Sequence, residues 1–447
     1  MREALSALTV RGRAFLAAGA TALVSALALG HDELVRVGAL LLLLPLATAF
    51  FLGRSRYRLG LVRSVSPTLV SAGQQARVQL DLSNDGRMPT GVLLLEDQVP
   101  YVLGTHPRFL VDRMGPGWRR EVEYAVRSDV RGRFPLGPMK VRLTDPFGLL
   151  ELERTFTSTS TIVVTPPVVP LPVVPLSGVW TGSGDNRPRA FASGSAEDVT
   201  VREYRRGDDL RRVHWRSSAH AGELMVRREE QPWQSRATLL LDNRRYAHRG
   251  QGPASSLEHA VTIASSVAVH LVQRGFSVRL VTARGERTGD GSGAPGGTWH
   301  EHGALSAETA PLLESLAVLT ESDDVRLDTR WLADGGHSGL LVAVLGEVDE
   351  RDRSALTRIR HSAAGAMAFV LDVAQWTGGP AGTAGTATTA ATMPWLAANG
   401  WRAVPATPYD PLPALWQELA VPGRTATSRP RVVGGVPADE IAGGGLG

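Results

Sequence analysis

Two uncharged apolar runs open the chain: residues 14–30, dominated by Ala and Leu, and residues 37–53, which contain Leu40 to Leu44 with Phe50 and Phe51. A bilayer-crossing helix needs about 17 to 25 apolar residues, so each run is near the short limit. Snorkelling flanks cover the deficit. A short polar connection, residues 31–36, separates the runs, and the spacing predicts a tight transmembrane hairpin with both ends on one side. Beyond residue 59 the period changes to two. Arg77-Val-Gln-Leu-Asp-Leu82, Glu121-Val-Glu-Tyr-Ala-Val126 and Lys140-Val-Arg-Leu143 alternate, Val92 to Leu95 is a short apolar run, and Asn84-Asp85-Gly86 and Gly115-Pro116-Gly117 are turns. Short strands at this spacing predict an antiparallel, Ig-like β-sandwich. From residue 237 the pattern changes again. Ala237-Thr-Leu-Leu-Leu241, Ser277-Val-Arg-Leu-Val-Thr282, Gly339-Leu-Leu-Val-Ala-Val-Leu345 and Ala366-Met-Ala-Phe-Val-Leu-Asp372 are nearly continuous apolar runs, as in parallel strands covered on both faces. Helical patterns over 256–274, 306–319 and 349–362 lie between them, which predicts a doubly wound α/β sheet.

These changes of period give a multidomain layout. Residues 1–56 are the hairpin with its flanks, 57–165 the sandwich, 166–200 a Pro/Gly-rich linker, 201–235 a densely charged segment, 236–421 the α/β domain and 422–447 a flexible tail. Pro166-Pro-Val-Val-Pro-Leu-Pro-Val-Val-Pro175 is expected to be extended and stiff, because proline fixes φ and removes amide donors. The Gly-Ala-Thr stretch 377–392 reads as a low-complexity insertion loop. Asp145-Pro146-Phe147-Gly148 reads as a tight turn burying its phenylalanine.

Charge sets the expected sidedness. Arg2, Arg11 and Arg13 precede the hairpin and Arg54, Arg56, Arg58 and Arg63 follow it, against Arg36 alone in the connection. The positive-inside rule then places both ends, and the soluble domains, in the cytoplasm beneath the plasma membrane. A cleaved signal peptide ending near Ala26-Leu27-Ala28 is the rival for the first run, and a pair of buried core helices the rival for both. Neither run carries an internal acid or base of the kind an ion pathway needs, so the hairpin reads as an anchor.

Composition narrows the chemistry. Among 447 residues there is no cysteine, which removes disulfides, thiolate zinc sites and cysteine nucleophiles together. The formal charge is only +4. Nucleic-acid binders concentrate a basic stripe beside stacking aromatics, whereas the arginines between 202 and 228 are interrupted by Glu203, Asp208, Asp209 and Glu223. Nucleic acid is therefore not expected as a partner.

That charged segment is the most informative stretch. Residues 202–205 read as extended, Arg206-Gly207 as a turn, Asp208 or Asp209 as the N-cap of a helix beginning near Leu210, Gly222 as its C-cap, and Leu224-Met225-Val226 as a strand. The binding or latch residues it offers are Arg202, Tyr204, Gly207, Asp208, Asp209, Arg211, Trp215 and Ser218. Two roles stand open: a structural latch of charge-assisted bonds with an indole packed beneath, or a surface for a partner or ligand.

The ordered run Glu203-Tyr204-x-x-Gly207-Asp208-Asp209-x-Arg211-x-Val213-x-Trp215-x-x-Ser218-Ala219 resembles the signature of the domain of unknown function 58 family. Members are membrane proteins that often accompany MoxR-type AAA+ ATPases and transglutaminase-like membrane proteins, and the resemblance implies both as partners. Arg131-Gly-Arg-Phe-Pro-Leu-Gly-Pro138 and Asp145-Pro-Phe-Gly-Leu149 resemble further segments of that family, while His220 stands where arginine is usual. The resemblance also implies a von Willebrand factor A-like fold for the α/β domain. In metal-binding members of that fold an Asp-x-Ser-x-Ser motif holds a divalent cation. Here the matching residues are Asp242-Asn243-Arg244-Arg245-Tyr246, so both hydroxyls are replaced and a guanidinium would repel a cation. No metal and no cofactor are expected, and Asp242 is expected to pair with Arg244 or a signature arginine.

Other motifs fail on inspection. Gly289-Asp-Gly-Ser-Gly-Ala-Pro-Gly296 lacks the Lys-Ser/Thr pair of a phosphate loop, Gly336-His337-Ser338-Gly339-Leu340 precedes a strand where a nucleophile elbow should follow one, and His300 and His302 lack companion ligands. The expected function is a non-enzymatic, membrane-anchored scaffold or adaptor working with a MoxR-type ATPase in assembly or maturation of envelope components. An acid/base hydrolase or transferase using Asp208, Asp209 and His214, and a metal-dependent adhesion module, are the alternatives.

Overall fold

The computed structural model describes residues 7–54, 59–87, 89–112, 114–145, 147–175, 201–203, 215–227, 235–286, 305–334, 339–376 and 383–421. The chain divides into two compact units, residues 1–167 with 316–319 and residues 168–315 with 320–447.

Helices α1 (Val10–Leu29) and α2 (Asp32–Arg54) form the N-terminal hairpin. Thr9 caps α1 by accepting from the Gly12 amide, and Gly30 ends it at φ +66°, a left-handed conformation suited to glycine. The two helices meet through glycine. A Cβ on Gly19 would lie 3.0 Å from the Gly38 carbonyl oxygen, and one on Gly38 would lie 3.0 Å from the Leu23 amide. Backbones this close leave no room for a side chain. Both helices are long and apolar enough to cross a membrane, and Val24, Leu27, Leu40, Leu43 and Phe50 are exposed along them. That exposure is unlike a pair of buried core helices.

The sandwich follows as β1 (Leu59–Ser66), β2 (Leu69–Ser71), β3 (Gln75–Asn84), β4 (Val92–Asp97), β5 (Arg108–Val111), β6 (Arg119–Arg127), β7 (Gly132–Leu136), β8 (Met139–Thr144), β9 (Glu151–Phe156) and β10 (Ser160–Thr165). Sheets β1-β3-β6 and β5-β4-β8-β9 are antiparallel, and a third, β2-β10-β7, contains one parallel pair, β2 with β10. Pro67 has no amide to donate, so the ladder of β1 stops there and the chain changes sheet as β2. Alternation works as expected in β3, where Ala76, Val78, Leu80 and Leu82 face inward with Leu93, Leu95, Met139, Val141 and Ile162. One ion pair is buried inside this unit. Arg63 Nη2 lies 2.6 Å from Asp97 Oδ1, Arg63 Nε 3.2 Å from Oδ2, and Tyr124 donates its hydroxyl to the same carboxylate at 2.5 Å. Arg63 Nη1 also donates to the carbonyls of Leu136 and Ser158. Burial, and then the Asp97 hydrogen bond, push the Tyr124 hydroxyl well above the ordinary tyrosine range.

In the second unit, β11 (Val201–Glu203) pairs antiparallel with β12 (Met225–Arg227), and α3 (Trp215–Ala221) stands between them in sequence. The main sheet contains β13 (Ser235–Leu241), β14 (Phe276–Thr282), β15 (Gly285–Glu286), β16 (Leu340–Leu345), β17 (Gly365–Leu371) and β18 (Arg402–Ala406), in the order β15-β14-β13-β16-β17-β18. Every pairing is parallel except the short edge strand β15. Strand order reverses between β13 and β16. Helices α4 (Ser256–Gln273), α5 (Leu305–Ala317), α6 (Glu350–Ser362), α7 (Thr383–Ala398) and α8 (Leu412–Ala420) connect or follow the strands.

One expectation is corrected in this unit. Much of the stretch expected to be an insertion loop belongs to α7, because alanine is the strongest helix former and Thr392 and Leu396 supply a buried face. The proline-rich segment is tied to α4 over 168–175: the Val169 amide donates to Ser266 Oγ at 2.9 Å and Val174 is buried.

Asp97→Ala is expected to leave Arg63 buried without its counter-charge and to lower stability by about 3–5 kcal/mol, measured as a fall in Cm at unchanged m-value.

Candidate functional site

The turn after β13 sits where strand order reverses, the place at which open α/β sheets receive ligands. The Asp242 amide continues the β13–β16 pairing by donating to Val344 O at 2.9 Å, and Gly346 lets the end of β16 approach this turn, since a Cβ there would meet the Ala247 carbonyl at 2.3 Å. Arg244 points inward and is fully buried, as are Asp242 and Asp352. Its guanidinium is shared between the two carboxylates. Nε and Nη2 each donate to Asp242 at 2.8 Å, Nη2 also reaches Asp352 Oδ2 at 3.0 Å, and Nη1 donates to Asp352 Oδ1. Nη1 bonds the Tyr246 hydroxyl as well, and Tyr246 passes a hydrogen bond to Val325 O at 2.9 Å.

Asp352 is set in place by helix capping. It occupies the third position of α6, where its carboxylate accepts from the Asp349 amide while Asp349 accepts from Asp352 N, a reciprocal capping box. Asp242 is backed by His248, whose Nε2 lies 2.6 Å from Asp242 O and whose Nδ1 lies 3.0 Å from Ser256 Oγ. Asn243 pins the neighbouring loop through Thr320 O and the Ala283 amide.

Burial disfavours the charge on Arg244, but its hydrogen bonds to Asp242 and Asp352 and their negative charges outweigh this and hold its proton more firmly than usual. Burial pushes the Asp352 carboxyl up against the opposing pull of Arg244, and it also raises Tyr246 to about 12. The guanidinium thus fills the position at which a divalent cation would need oxygen ligands. The residues present do not fit a metal: both Asp242 oxygens are already engaged and a fixed positive charge stands between the carboxylates.

At the solvent-facing rim beside this centre lies a groove of 630 Å3 lined by Ala283, Arg284 and residues 324–330. Arg284 pairs with Asp324 at 2.7 Å and Arg330 with Asp328 at 2.9 Å, and Arg245 nearby bridges Glu321 and Asp323. Surface pairs of this kind contribute about 0–1 kcal/mol each.

Of the signature residues, Tyr204, Gly207, Asp208, Asp209 and Arg211 lie outside the described residues, as do His214, the 289–296 loop, His300 and His302. Arg202 lies in β11, with its backbone opposite Val226. Gly222 ends α3 at φ +74°, its amide bonded to Ser218 O. Ser218 Oγ accepts from the Met225 amide at 2.8 Å and so ties α3 to β12. Trp215 is 70% exposed. Asp352 was not singled out from the sequence. Its signal was available in Asp349-x-x-Asp352 at the head of a helical pattern, but only the fold brings it to Arg244.

Arg244→Met is expected to leave two buried carboxylates facing one another and to cost about 3–5 kcal/mol at pH 7. Both carboxyls then bind protons more tightly in the folded than in the unfolded chain, so the deficit shrinks as pH falls toward about 4. Adding Asp352→Leu restores part of the loss at pH 7. Chemical denaturation from pH 4 to pH 8 reads both effects, and a deficit independent of pH would contradict the account.

No curated protein matches the chain. Among solved structures, similarity is found to the CARDB domain of a Pyrococcus furiosus protein in complex with di-metal ions, at 15% identity, 24% of this chain, 93% of that chain and a TM-score of 0.18. A protein described as ApaA from Bordetella pertussis matches at 13% identity, 25% of this chain, 96% of that chain and a TM-score of 0.20. The alkylpurine DNA glycosylase AlkC of Pseudomonas fluorescens, bound to DNA containing an abasic site analog, matches at 14% identity, 30% of this chain, 39% of that chain and a TM-score of 0.18. Residues 200–289 match the family described as protein of unknown function DUF58, a span that takes in the charged signature, β13 and the buried Asp242–Arg244 turn.

Proposed function

We propose that the chain is a membrane-anchored, non-enzymatic scaffold or adaptor whose soluble domains face the cytoplasm. Its partners are a MoxR-type AAA+ ATPase and a transglutaminase-like membrane protein, and its work is assembly or maturation of cell-envelope components. The observation that carries this reading is the closed centre at Arg244: where an α/β sheet would take a ligand, a protein side chain fills the crevice and satisfies both carboxylates. Such a centre holds a surface in shape and leaves no open coordination position for chemistry.

The strand order, with its single antiparallel edge strand, supports a von Willebrand factor A-like domain whose metal motif has been replaced by an internal ion pair. Binding then falls to exposed parts. Trp215 stands in solvent on α3, and aromatic residues of this kind are common anchors at protein interfaces. The two apolar helices support the anchor, and the arginines flanking them support the cytoplasmic side.

Trp215→Ala is expected to change stability by no more than about 0.5 kcal/mol while an ATPase recovered by cross-linking and co-purification from native membranes is lost. Retention of that partner by a folded Trp215→Ala, Arg211→Ala chain would move the docking surface away from the signature. The replaced metal motif has its own test: Arg244→Ser with Tyr246→Ser should create magnesium binding detectable by calorimetry, with none in the parent chain. Magnesium binding by the parent chain would instead favour the adhesion module.

A further inference from the structure

Hydrogen bonds gather several turns of the sandwich at the end from which the hairpin leaves. Leu8 bridges Leu150, the Thr9 hydroxyl donates to Gly148 O at 2.7 Å, and the Glu151 amide donates to Ala7 O at 2.8 Å. Gly12 seats α1 on this turn, for a Cβ there would lie 2.3 Å from the Leu149 carbonyl. At the other helix, α2 ends at Arg54 and β1 begins at Leu59, opposite Asn84. The Asn84 side chain donates to Met114 O and Gly115 O, the Met114 amide donates to Thr90 Oγ1, and Gly91 lies against Thr144 O. The turns at 84–91, 114–118 and 145–150 therefore share one end of the sandwich with both helix junctions.

Two aromatic rings are held open to solvent on that end. Trp118, 63% exposed, closes a turn in which its amide bonds Gly115 O and Gly117 takes φ +73°. Phe147 was expected to be buried, yet it is 59% exposed. The Asp145 carboxylate accepts from the Phe147 amide at 3.0 Å and the Leu150 amide at 2.7 Å, which fixes the turn with its ring outward. Around the rings, Arg11, Arg13, Arg87, Arg119 and Arg120 are exposed. The acids at this end are largely engaged: Asp145 by turn amides, Asp85 by Ser83 and Glu151 by Arg142, with Asp112 exposed.

We propose that this end of the sandwich is a membrane-docking surface in which Trp118 and Phe147 enter the boundary between headgroups and acyl chains while the arginines contact anionic lipid phosphates. The proposal rests on the membrane-anchor reading of the hairpin. Continuity identifies the occupant. The apolar run 14–30 spans about 25 Å as a helix, close to the thickness of the hydrocarbon core, so the first turn of α1 with Arg11 and Arg13, and the 145–150 turn bonded to Thr9, lie at headgroup level. Aromatic rings favour that level, and arginines favour an anionic leaflet. Docking holds the sandwich end-on to the bilayer instead of letting it swing on the hairpin.

Because the chain has no cysteine, single labels are clean. The full-length protein is placed in nanodiscs of phosphatidylglycerol and phosphatidylcholine with a nitroxide at Pro116→Cys beside Trp118, Leu43→Cys on α2, or Gln74→Cys at the far end of β3. Collisions with oxygen and with a water-soluble nickel chelate report depth. The expected result is a deep Leu43 label, a water-exposed Gln74 label and a Pro116 label at the interface, several-fold less accessible to nickel than Gln74. Trp118→Ala with Phe147→Ala, or phosphatidylcholine alone, should return the Pro116 label toward the Gln74 value. A Pro116 label as accessible as Gln74, with Leu43 deep, overturns the docking surface and leaves the anchor standing. A water-exposed Leu43 label overturns the anchor and this proposal together. Immersion at Pro116 that survives both the paired alanine variant and the neutral lipid overturns the roles given to the rings and arginines.

Discussion

The guanidinium of Arg244 is fully buried, with two carboxylates, Asp242 and Asp352, on either side. A charge so placed is stable only while every donor is matched, because a buried ion without its partner costs several kcal/mol. The arrangement therefore constrains much of its surroundings. β13 must end just before Asp242, α6 must begin with the capping box that orients Asp352, Gly346 must admit the turn, and the 320–325 loop must supply the carbonyl that receives Tyr246. The same requirement explains why this crevice is a poor place for a cation.

The first unit solves a related problem with Arg63 and Asp97. There the ion pair draws β1 and β4 together, Tyr124 on β6 supplies a third donor, and backbone carbonyls of Leu136 and Ser158 accept from Nη1. Both centres use arginine, whose planar fork matches carboxylate geometry in a way lysine does not. That preference suits a chain with a single lysine, Lys140. The hairpin is joined to this unit by different means. Small residues permit backbone contact, at Gly12 with the 145–150 turn and at Gly19 with Gly38, while Phe15, Leu16 and Leu44 of the helices pack against the sandwich core.

Periodicity made the elements legible before any coordinates. Apolar runs foretold the two helices, alternation foretold β3, β6 and β8, and continuous apolar strands foretold the parallel sheet, because each pattern reports which faces are covered. The pairing of Asp242 with Arg244 was also foreseeable, two residues apart at a strand end. Local patterns failed where a distant surface decided the outcome. The Gly-Ala-Thr stretch is helical in α7 because a sheet covers one side of it. Phe147 points outward because Asp145 consumes the turn's amides and sets its direction.

By itself, then, the sequence determined the kinds of element, the absence of thiol chemistry, the hairpin's apolar length and the presence of Arg244 and Tyr246 in place of hydroxyl-bearing serines or threonines after Asp242, since these depend on residue type and short-range spacing. The tertiary structure alone decided that Asp352, 108 positions beyond Arg244, completes its coordination, and that Trp118 and Phe147 stand at the end of the sandwich that carries the hairpin. Those are facts of chain topology. Charge neutralisation and surface continuity act through space over a few ångströms, and no local pattern records which distant segments the fold will bring within that reach.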